Sequence, residues 1–319
     1  MTNIFSISNA LEFERIALEQ FKYQAEACTP YREYLSLIGV KPCDVVRLEQ
    51  IPYLPIELFK THDVYCSDEP CEAEFTSSGT NLVQSHHKVR DISLYERSFI
   101  EGFQLFYGSP SQTNIYALLP SYLEREGSSL IYMIKSLINK SFDGGFFLYD
   151  YDNLLEHIEK RDRSKKTFLF GVTFALMDLV ERYCLSLGDD VVVMETGGMK
   201  GRRAELPREQ LHDILCKGLG VGSIHSEYGM CECLSQSYSS GDGVFQSPPW
   251  MKILIRSLGD PFRLLDVEKR GGINIIDLAN YHSCSFLQTQ DKGKCLVDGG
   301  FTVEGRIDFS DIRGCNLLI

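Results

Sequence analysis

Thr76-Ser77-Ser78-Gly79-Thr80-Asn81 is a run of hydroxyl side chains around one glycine, with Lys88 a few residues on. Hydroxyls and free backbone N–H groups can wrap phosphate oxygens, and glycine lets the backbone approach closely. The spacing is not that of the G-x-x-x-x-G-K-[ST] loop. Ser/Thr/Gly-rich stretches also form plain turns, so the reading rests on what lies downstream. Ser226-Glu227-Tyr228-Gly229-Met230-Cys231-Glu232 follows a predicted strand. An aromatic there can stack on a purine, and a carboxylate such as Glu232 can hold magnesium, which takes oxygen ligands and substrate phosphates. The plainer alternative is a buried Tyr and a surface Glu. Gln288-Thr289-Gln290-Asp291 ends another predicted strand. Its Asp can accept hydrogen bonds from ribose hydroxyls, or simply belong to a hairpin. In Val303-Glu304-Gly305-Arg306-Ile307-Asp308, Arg306 can pair with phosphate or ribose.

The elements that must position these residues can be read from pattern. Ser8 or Asn9 caps a first helix, with Leu11, Ile16, Leu18 and Phe21 at near-helical spacing through Ala27. Cys28-Thr29-Pro30 breaks it; a second helix covers Tyr31 to Ile38, and Gly39 stops it. Pro52 and Pro55 make a rigid, extended connection. From Ser93 the chain alternates: a helix to Phe106, then strands at Thr113–Leu119, 146–149, 167–170, 191–194 and 223–226, with helices between them at 128–138, 153–160, 174–187 and 208–217. Such alternation predicts right-handed crossovers and a mostly parallel sheet. Apolar runs such as Val191-Val192-Val193 fit strands buried on both faces. Near Gly241 the pattern changes to short strands at 251–256, 272–278, 285–289, 293–297 and 301–303, with hairpins at Gly271-Gly272, Asp291-Lys292-Gly293 and Asp298-Gly299-Gly300. The expectation is an α/β body over 1–240 and a β-rich subdomain over 241–319. Gly218-Leu219-Gly220 follows a helix instead of opening one, so it reads as a helix C-cap.

The chain has 319 residues, 44% of them hydrophobic, which is ample for a buried core. The net charge of −12 and the lack of a basic stripe argue against nucleic acid as a partner. Eleven scattered cysteines with no C-x-x-C pair point to reduced thiols and a cytoplasmic setting. Cys231-Glu232-Cys233 is too tight for a zinc pair, and His86-His87 reads as a polar surface pair. No apolar run reaches ~18 residues, so no membrane span is expected, and the first residues lack the features of a signal peptide.

Together the four segments resemble the adenylate-forming enzymes, which include acyl-CoA ligases, luciferases and peptide-synthetase adenylation domains. Thr76–Thr80 is similar to their Thr-Ser-Gly-Thr-Thr-Gly phosphate loop, and Tyr228–Glu232 to their Tyr-Gly-x-Thr-Glu signature. Asp291 matches their ribose-binding Asp, and Gly305-Arg306-x-Asp308 their hinge motif. A closer resemblance, over nearly the whole chain, is to acyl-protein synthetase, the fatty-acid ligase component of the bacterial bioluminescence reductase complex. Ile51-Pro52-Tyr53-Leu54-Pro55-Ile56, Leu118–Glu124, Glu195-Thr196-Gly197-Gly198-Met199-Lys200-Gly201, Ser226–Glu232 and Arg313-Gly314-Cys315 carry it.

The resemblance implies the large N-terminal α/β domain of those enzymes, without their small C-terminal catalytic-lysine domain. It implies ATP and Mg²⁺, a carboxylic acid (fatty or aryl) as substrate, and an acyl-adenylate as first product. Thr76, Ser77, Ser78, Gly79, Thr80, Glu227, Tyr228, Gly229, Asp291 and Arg306 would hold the nucleotide and Glu232 the metal. Phe170, Gly171, Gly197 and Gly198 would wall the acyl pocket. Lys88 or Lys200 would replace the missing lysine, and Cys315, near the end of the chain, would accept the acyl group as a thioester. Coenzyme A or a carrier protein is the alternative acceptor, a reductase is the partner the analogy offers, and a non-catalytic nucleotide-binding homologue is the rival class. Asn81 and Cys231 depart from the superfamily pattern, which has Gly and Thr there.

Overall fold

The computed structural model describes residues 3–77, 84–120, 127–197 and 206–307. Its helices are α1 (Ala10–Ala27), α2 (Thr29–Leu37), α3 (Ile92–Tyr107), α4 (Ser129–Lys140), α5 (Tyr151–Lys160), α6 (Thr173–Arg182) and α7 (Arg208–Leu219). Its strands are β1 (Leu54–Pro55), β2 (Ala73–Thr76), β3 (His86–Val89), β4 (Thr113–Leu118), β5 (Asp143–Phe146), β6 (Lys166–Val172), β7 (Val191–Thr196), β8 (Ile224–Tyr228), β9 (Ser237–Ser239), β10 (Val244–Phe245), β11 (Met251–Arg256), β12 (Gly271–Asp277), β13 (Phe286–Cys295) and β14 (Phe301–Arg306). Contacts divide the chain into two units that interleave in sequence: 1–98 with 231–235 and 246–319, and 99–230 with 236–245.

The unit built from 99–230 and 236–245 is the doubly wound body. Its sheet runs β5-β4-β6-β7-β8-β9. All pairings from β5 through β8 are parallel, and β9 closes the edge antiparallel to β8. Every residue of β4 is buried, as is every residue of β6 after Lys166; strands covered on both faces must be apolar along their whole length. The chain leaves β4 toward β5, then returns to β6 on the other side of β4. Open parallel sheets bind their ligands beyond the carboxyl ends of the strands. The helices start and stop where capping chemistry dictates: Ser128 accepts from the Ile131 N–H at the head of α4, Asp150 from Asn153 at the head of α5, and Gly220, at φ 64°, ends α7.

One strand lies earlier than pattern predicts. Aromatic residues favour a strand at 146–149, yet β5 is Asp143–Phe146, with two glycines inside it. A Cβ on Gly144 would sit 2.3 Å from the Ile115 carbonyl oxygen. The glycine permits a close approach to β4 that propensity alone does not reveal.

The other unit opens with α1, capped by Asn9, whose side chain accepts from the Glu12 N–H. Its buried face is Phe13, Ile16, Ala17, Gln20, Phe21 and Gln24, while Leu11 is exposed. Cys28 does end α1, but Thr29-Pro30 form the first turn of α2 instead of a break, because proline is accommodated where the N–H has no helical partner. β2 and β3 pair antiparallel. β11, β12, β13 and β14 form an antiparallel meander, and β1 adds parallel to β13. Trp250 is buried, and its indole N–H donates to the Ser98 and Ser235 hydroxyls.

Two predicted hairpins are corrected here. Asp291-Lys292-Gly293 and Gly271-Gly272 are not turns; they lie inside β13 and β12. β13 is continuous where two strands were expected, with a register shift at Lys292/Gly293. A Cβ on Gly293 would fall 1.9 Å from the Thr302 carbonyl oxygen, and one on Gly272 2.5 Å from the Arg256 guanidinium carbon. These glycines admit close neighbours, whereas Asp298-Gly299-Gly300 does turn the chain, with Gly299 at φ 87°. Gly293→Ala should therefore lower stability by about 1–3 kcal/mol in urea titration, because β13 and β14 must part to admit the methyl group. An unchanged midpoint would contradict this account of the bulge.

Candidate functional site

Two groups of residues, one in each unit, carry the chemistry singled out by sequence. The first lies where β6, β7 and β8 end. Parallel register sets Glu195 opposite Ser226 and Thr196 opposite Glu227. The Glu195 carboxylate accepts from the Thr173 hydroxyl at 2.8 Å and the Ser226 hydroxyl at 3.2 Å, and lies 3.2 Å from His212 Nε2. Burial pushes this carboxyl up, but the His212 hydrogen bond, the Arg208 charge and the Thr173 hydroxyl outweigh it, so Glu195 sits below its ordinary value. Glu227 faces the opposite balance. Its carboxylate accepts from the Thr196 hydroxyl at 2.6 Å, and burial pushes it up to about 7. A Cβ on Gly229 would lie 2.3 Å from Glu227 Oε1, so the glycine makes room for that carboxyl. Tyr228 ends β8, with its ring 5.8 Å from that of Phe245. Phe170 is fully buried, and a Cβ on Gly171 would meet the Leu176 side chain at 2.5 Å. Gly197, at φ 69°, follows β7, and its carbonyl is 3.5 Å from the Thr173 hydroxyl.

The second group is built around residues 231–235. The Asp277 carboxylate, fully buried, accepts from the Leu234 and Ser235 N–H groups at 2.8 and 2.9 Å, the Ser235 hydroxyl at 2.6 Å and the Ala279 N–H at 3.1 Å. Asn280 donates to the Glu232 carbonyl at 2.7 Å. From β3, His87 Nδ1 donates to the Cys231 carbonyl at 2.8 Å. His87 is buried, not the surface residue its sequence context predicts, and burial pushes its imidazole down to about 4. It is therefore neutral, with Nδ1 carrying the proton. Glu232 is thus held by its own backbone at a fixed place. Burial raises its carboxyl, offset by the Ser85 hydroxyl, its own N–H and the charges of Lys60 and Arg306.

Asp291 and Arg306 are register partners across β13 and β14, with Arg306 Nε 3.8 Å from Asp291 Oδ1. The Arg306 side chain is 81% exposed, so its guanidinium is available to a ligand. Arg256, buried in the meander, donates to the Thr289 carbonyl at 2.6 Å and the Ile273 carbonyl at 2.8 Å. It fixes the strand that carries Gln288–Asp291. Glu232, Asp291 and Arg306 therefore share one neighbourhood, linked through the Arg306 charge.

Thr76 ends β2 opposite His86. Ser77 and Ser85 close the base of the hydroxyl loop: the Ser77 N–H donates to the Ser85 carbonyl at 3.1 Å and the Ser85 N–H to the Ser77 hydroxyl at 2.9 Å. Lys88 pairs with Asp63 at 2.7 Å, which raises its ammonium above the ordinary value. Ser78, Gly79, Thr80, Asn81, Gly198, Lys200, Asp308, Arg313 and Cys315 lie outside the described residues. Pattern missed Asp277, Asn280, His87, Ser85 and Arg256. None carries a spacing signal, because each acts through contacts distant in sequence. The described cysteines are all free thiols. Among the described residues no group of three or more His, Cys, Asp or Glu forms a metal cluster, and no helix is long and apolar enough to cross a membrane.

No protein-family model matches the chain, and no curated protein matches it. Solved structures do. 2-Hydroxyisobutyryl-CoA ligase in the postadenylation state, in complex with 2-HIB-AMP, matches 95% of this chain and 69% of that one at TM-score 0.72 and 12% identity. ATP-bound MatB from Rhodopseudomonas palustris matches 76% of this chain at TM-score 0.57 and 15% identity. A long-chain-fatty-acid-CoA ligase (FadD1) from Archaeoglobus fulgidus matches 74% at TM-score 0.53 and 17% identity. This chain spans about half the length of the MatB and FadD1 chains, 50% and 52%. The likeness is one of fold: the α/β architecture of the N-terminal domain of adenylate-forming acyl-CoA ligases.

The contrast between the carboxyls has a measurable consequence. Glu227 rises from an ordinary 4.5 to about 7, so the fold keeps a proton that the unfolded chain has lost between those values. That contribution is whole below about pH 4.5 and fades as pH rises through 7, a loss of at most about 3 kcal/mol. Glu227→Gln should flatten this fall, so the variant gains on the wild type between pH 5 and pH 8 in urea titrations. Parallel pH profiles would contradict it.

Proposed function

We propose that the chain activates a carboxylic acid with ATP, forming an acyl-adenylate and pyrophosphate, and passes the acyl group to the thiol of Cys315. The observation that carries the first half is the shared neighbourhood of Glu232, Asp291 and Arg306, on a fold common to ligases whose solved complexes hold ATP or an acyl-adenylate. Asp291 would accept from ribose hydroxyls, and Arg306 would pair with phosphate or ribose. Tyr228, at the end of β8, offers a purine-stacking face. The hydroxyls and N–H groups of Thr76, Ser77, Ser78, Gly79 and Thr80 would cradle the β- and γ-phosphates. Glu227, whose carboxyl burial raises to about 7, would face the nucleotide base with Gly229.

A divalent ion fits the second group in one way only. Among the described residues Glu232 is a buried carboxylate outside any group of three or more His, Cys, Asp or Glu that could form an all-protein cage. That suits magnesium that arrives with the triphosphate and takes one carboxylate from the protein. When bound, Mg²⁺ supplies charge neutralisation on the phosphates. The protein's own part is positioning: a rigid Glu232, an Asp291–Arg306 pair and a closed loop base hold the α-phosphorus in line with the substrate carboxylate. Lys88 or Lys200 would steady the α-phosphate; for Lys88 this requires release from Asp63. Phe170, Gly171, Gly197 and Gly198 would border the acyl group. For the second half, the Cys315 thiolate attacks the acyl carbon and AMP leaves. Coenzyme A is the second reading for the acceptor, favoured by the neighbour solved with 2-HIB-AMP and CoA.

Exchange of radiolabelled pyrophosphate into ATP, run over a panel of fatty and aryl acids, tests the first step. One acid class should stimulate exchange at least about tenfold over the acid-free rate, a difference of roughly 1.4 kcal/mol in barrier. No stimulation by any acid overturns it. Cys315→Ser should retain exchange and lose hydroxylamine-labile acylation. If acylation stays on the mutant chain, Cys315 is not the acceptor; if label passes to added coenzyme A, the second reading holds.

A further inference from the structure

Lys60 is a cation of the second group that the mechanism above does not use. It ends a short 3₁₀ helix, Ile56–Lys60, that follows β1 directly. Two strands fix that helix in place. On β13, β12 holds one edge from Phe286 to Gly293, so β1 and β14 share the other: β1 at Leu287 and Gln288, β14 from Asp291 onward. The short helix comes where that edge passes from one strand to the next. There the Gln290 side-chain amide donates to the Glu57 carboxylate, and the Gln290 carbonyl accepts at 2.7 Å from the N–H of Ile307, the residue after Arg306. On the β3 side, the buried Phe59 ring meets the His87 ring edge-on at 5.5 Å. His87 is the residue that holds the Cys231 carbonyl, next to Glu232.

Side chains three apart eclipse in a 3₁₀ helix. Lys60 therefore shares the face of Glu57, which is turned to Gln290, and its stem starts beside the point where Asp291 and Arg306 pair. The neighbouring Glu57 carboxylate is taken by Gln290. Lys60 is exposed, and among the described residues its ammonium has no hydrogen-bond or ion-pair partner. Lys88 differs, because Asp63 holds it at 2.7 Å. The Lys60 charge also reaches the Glu232 carboxyl and, with that of Arg306, lowers it against burial. An ammonium on a flexible stem, with three donors to place, suits a phosphate oxygen. A lysine that served only solvation would stand equally well on any exposed position; this one is carried on a turn tied to both β3 and β13.

We propose that Lys60, and not Lys88 or Lys200, binds the phosphate adjoining the ribose, the α-phosphate of the nucleotide served by Asp291 and Arg306. The inference rests on the nucleotide reading given above. A ribose on Asp291 carries its first phosphate a single methylene away, within the span of a lysine side chain rooted beside Gln290. The Lys60 ammonium and the Arg306 guanidinium then meet the negative charge of that phosphate from two elements, one rooted in the turn after β1 and one in β14.

Titration of the full-length chain with magnesium ATP, AMP and adenosine, comparing wild type with Lys60→Met and Lys60→Arg, tests this. Lys60→Met should weaken ATP and AMP alike by about tenfold or more, through loss of one charge-assisted hydrogen bond, and leave adenosine within about twofold. Lys60→Arg should recover most of the loss, and circular dichroism should show both variants folded. In pyrophosphate exchange the methionine variant should also lose rate at saturating ATP. Equal binding of ATP and AMP by Lys60→Met and wild type overturns the proposal, as does an equal weakening of adenosine, or of ATP without AMP. Wild-type exchange that Lys60→Met leaves intact removes Lys60 while the ligase reading stands. Lys60-dependent AMP binding without exchange for any acid upholds Lys60 while the activation step falls. A wild type that binds none of the three sinks the reading and this residue with it.

Discussion

The Asp277 carboxylate is the constraint on which the second group rests. It takes four donors, three of them from residues 234 and 235. A carboxylate with no route to water must find its partners inside the protein, and each unmade bond costs about 1–3 kcal/mol. Those bonds hold a five-residue segment to the unit that also contains the meander, while the chain on either side of it belongs to the other unit. Glu232 is the residue in that segment that the proposed function uses. Its backbone is gripped from two sides, by His87 and Asn280 at neighbouring carbonyls. Its position is therefore set before any ligand arrives, which is what electrostatic preorganisation requires.

Four buried or partly buried carboxyls show how environment divides one functional group into several roles. Glu195 is surrounded by donors and a histidine and keeps its charge. Glu227 has the Thr196 hydroxyl against a large desolvation, so its charge is in balance near neutrality. Asp277 and Glu232 are both raised by burial, but Asp277 spends its oxygens on backbone and hydroxyl donors, whereas Glu232 also feels the charges of Lys60 and Arg306. A carboxylate raised by burial gains from a nearby cation. In the proposed function that is the physical reason why Glu232, and not Asp277, would meet a metal-bearing triphosphate.

Much of this was legible in sequence, and the parts that were not share a cause. The alternation of strands and helices from Thr113 to Tyr228 carries the parallel sheet, because full burial leaves continuous apolar runs and short crossovers leave capping residues. Asn9, Ser128, Asp150 and Gly220 mark helix ends by local chemistry. Glycine was the ambiguous letter. Gly299 is a turn residue by its φ, while Gly144, Gly272 and Gly293 are there because a neighbour stands where their Cβ would be. The same two-fold meaning displaced β5 and invented two hairpins. The interleaving of 1–98 with 246–319 was illegible for a different reason: no local pattern records that β1 pairs with β13 or that α1 glutamines bind the 278–285 segment. Likewise His87 looked like a surface residue because an adjacent His86, paired with exposed Glu74, does lie at the surface. Alternation along β3 puts the two on opposite faces.

The central claim is that Glu232, Asp291 and Arg306 serve one nucleotide. Calorimetric titration of the wild type with ATP and magnesium tests it most directly. The account predicts saturable binding that requires the metal, is weakened about tenfold or more by Glu232→Gln and by Asp291→Asn, roughly 1.4 kcal/mol each, and leaves the folded state intact by circular dichroism. Absence of any ATP binding, or binding that neither substitution changes, would contradict it.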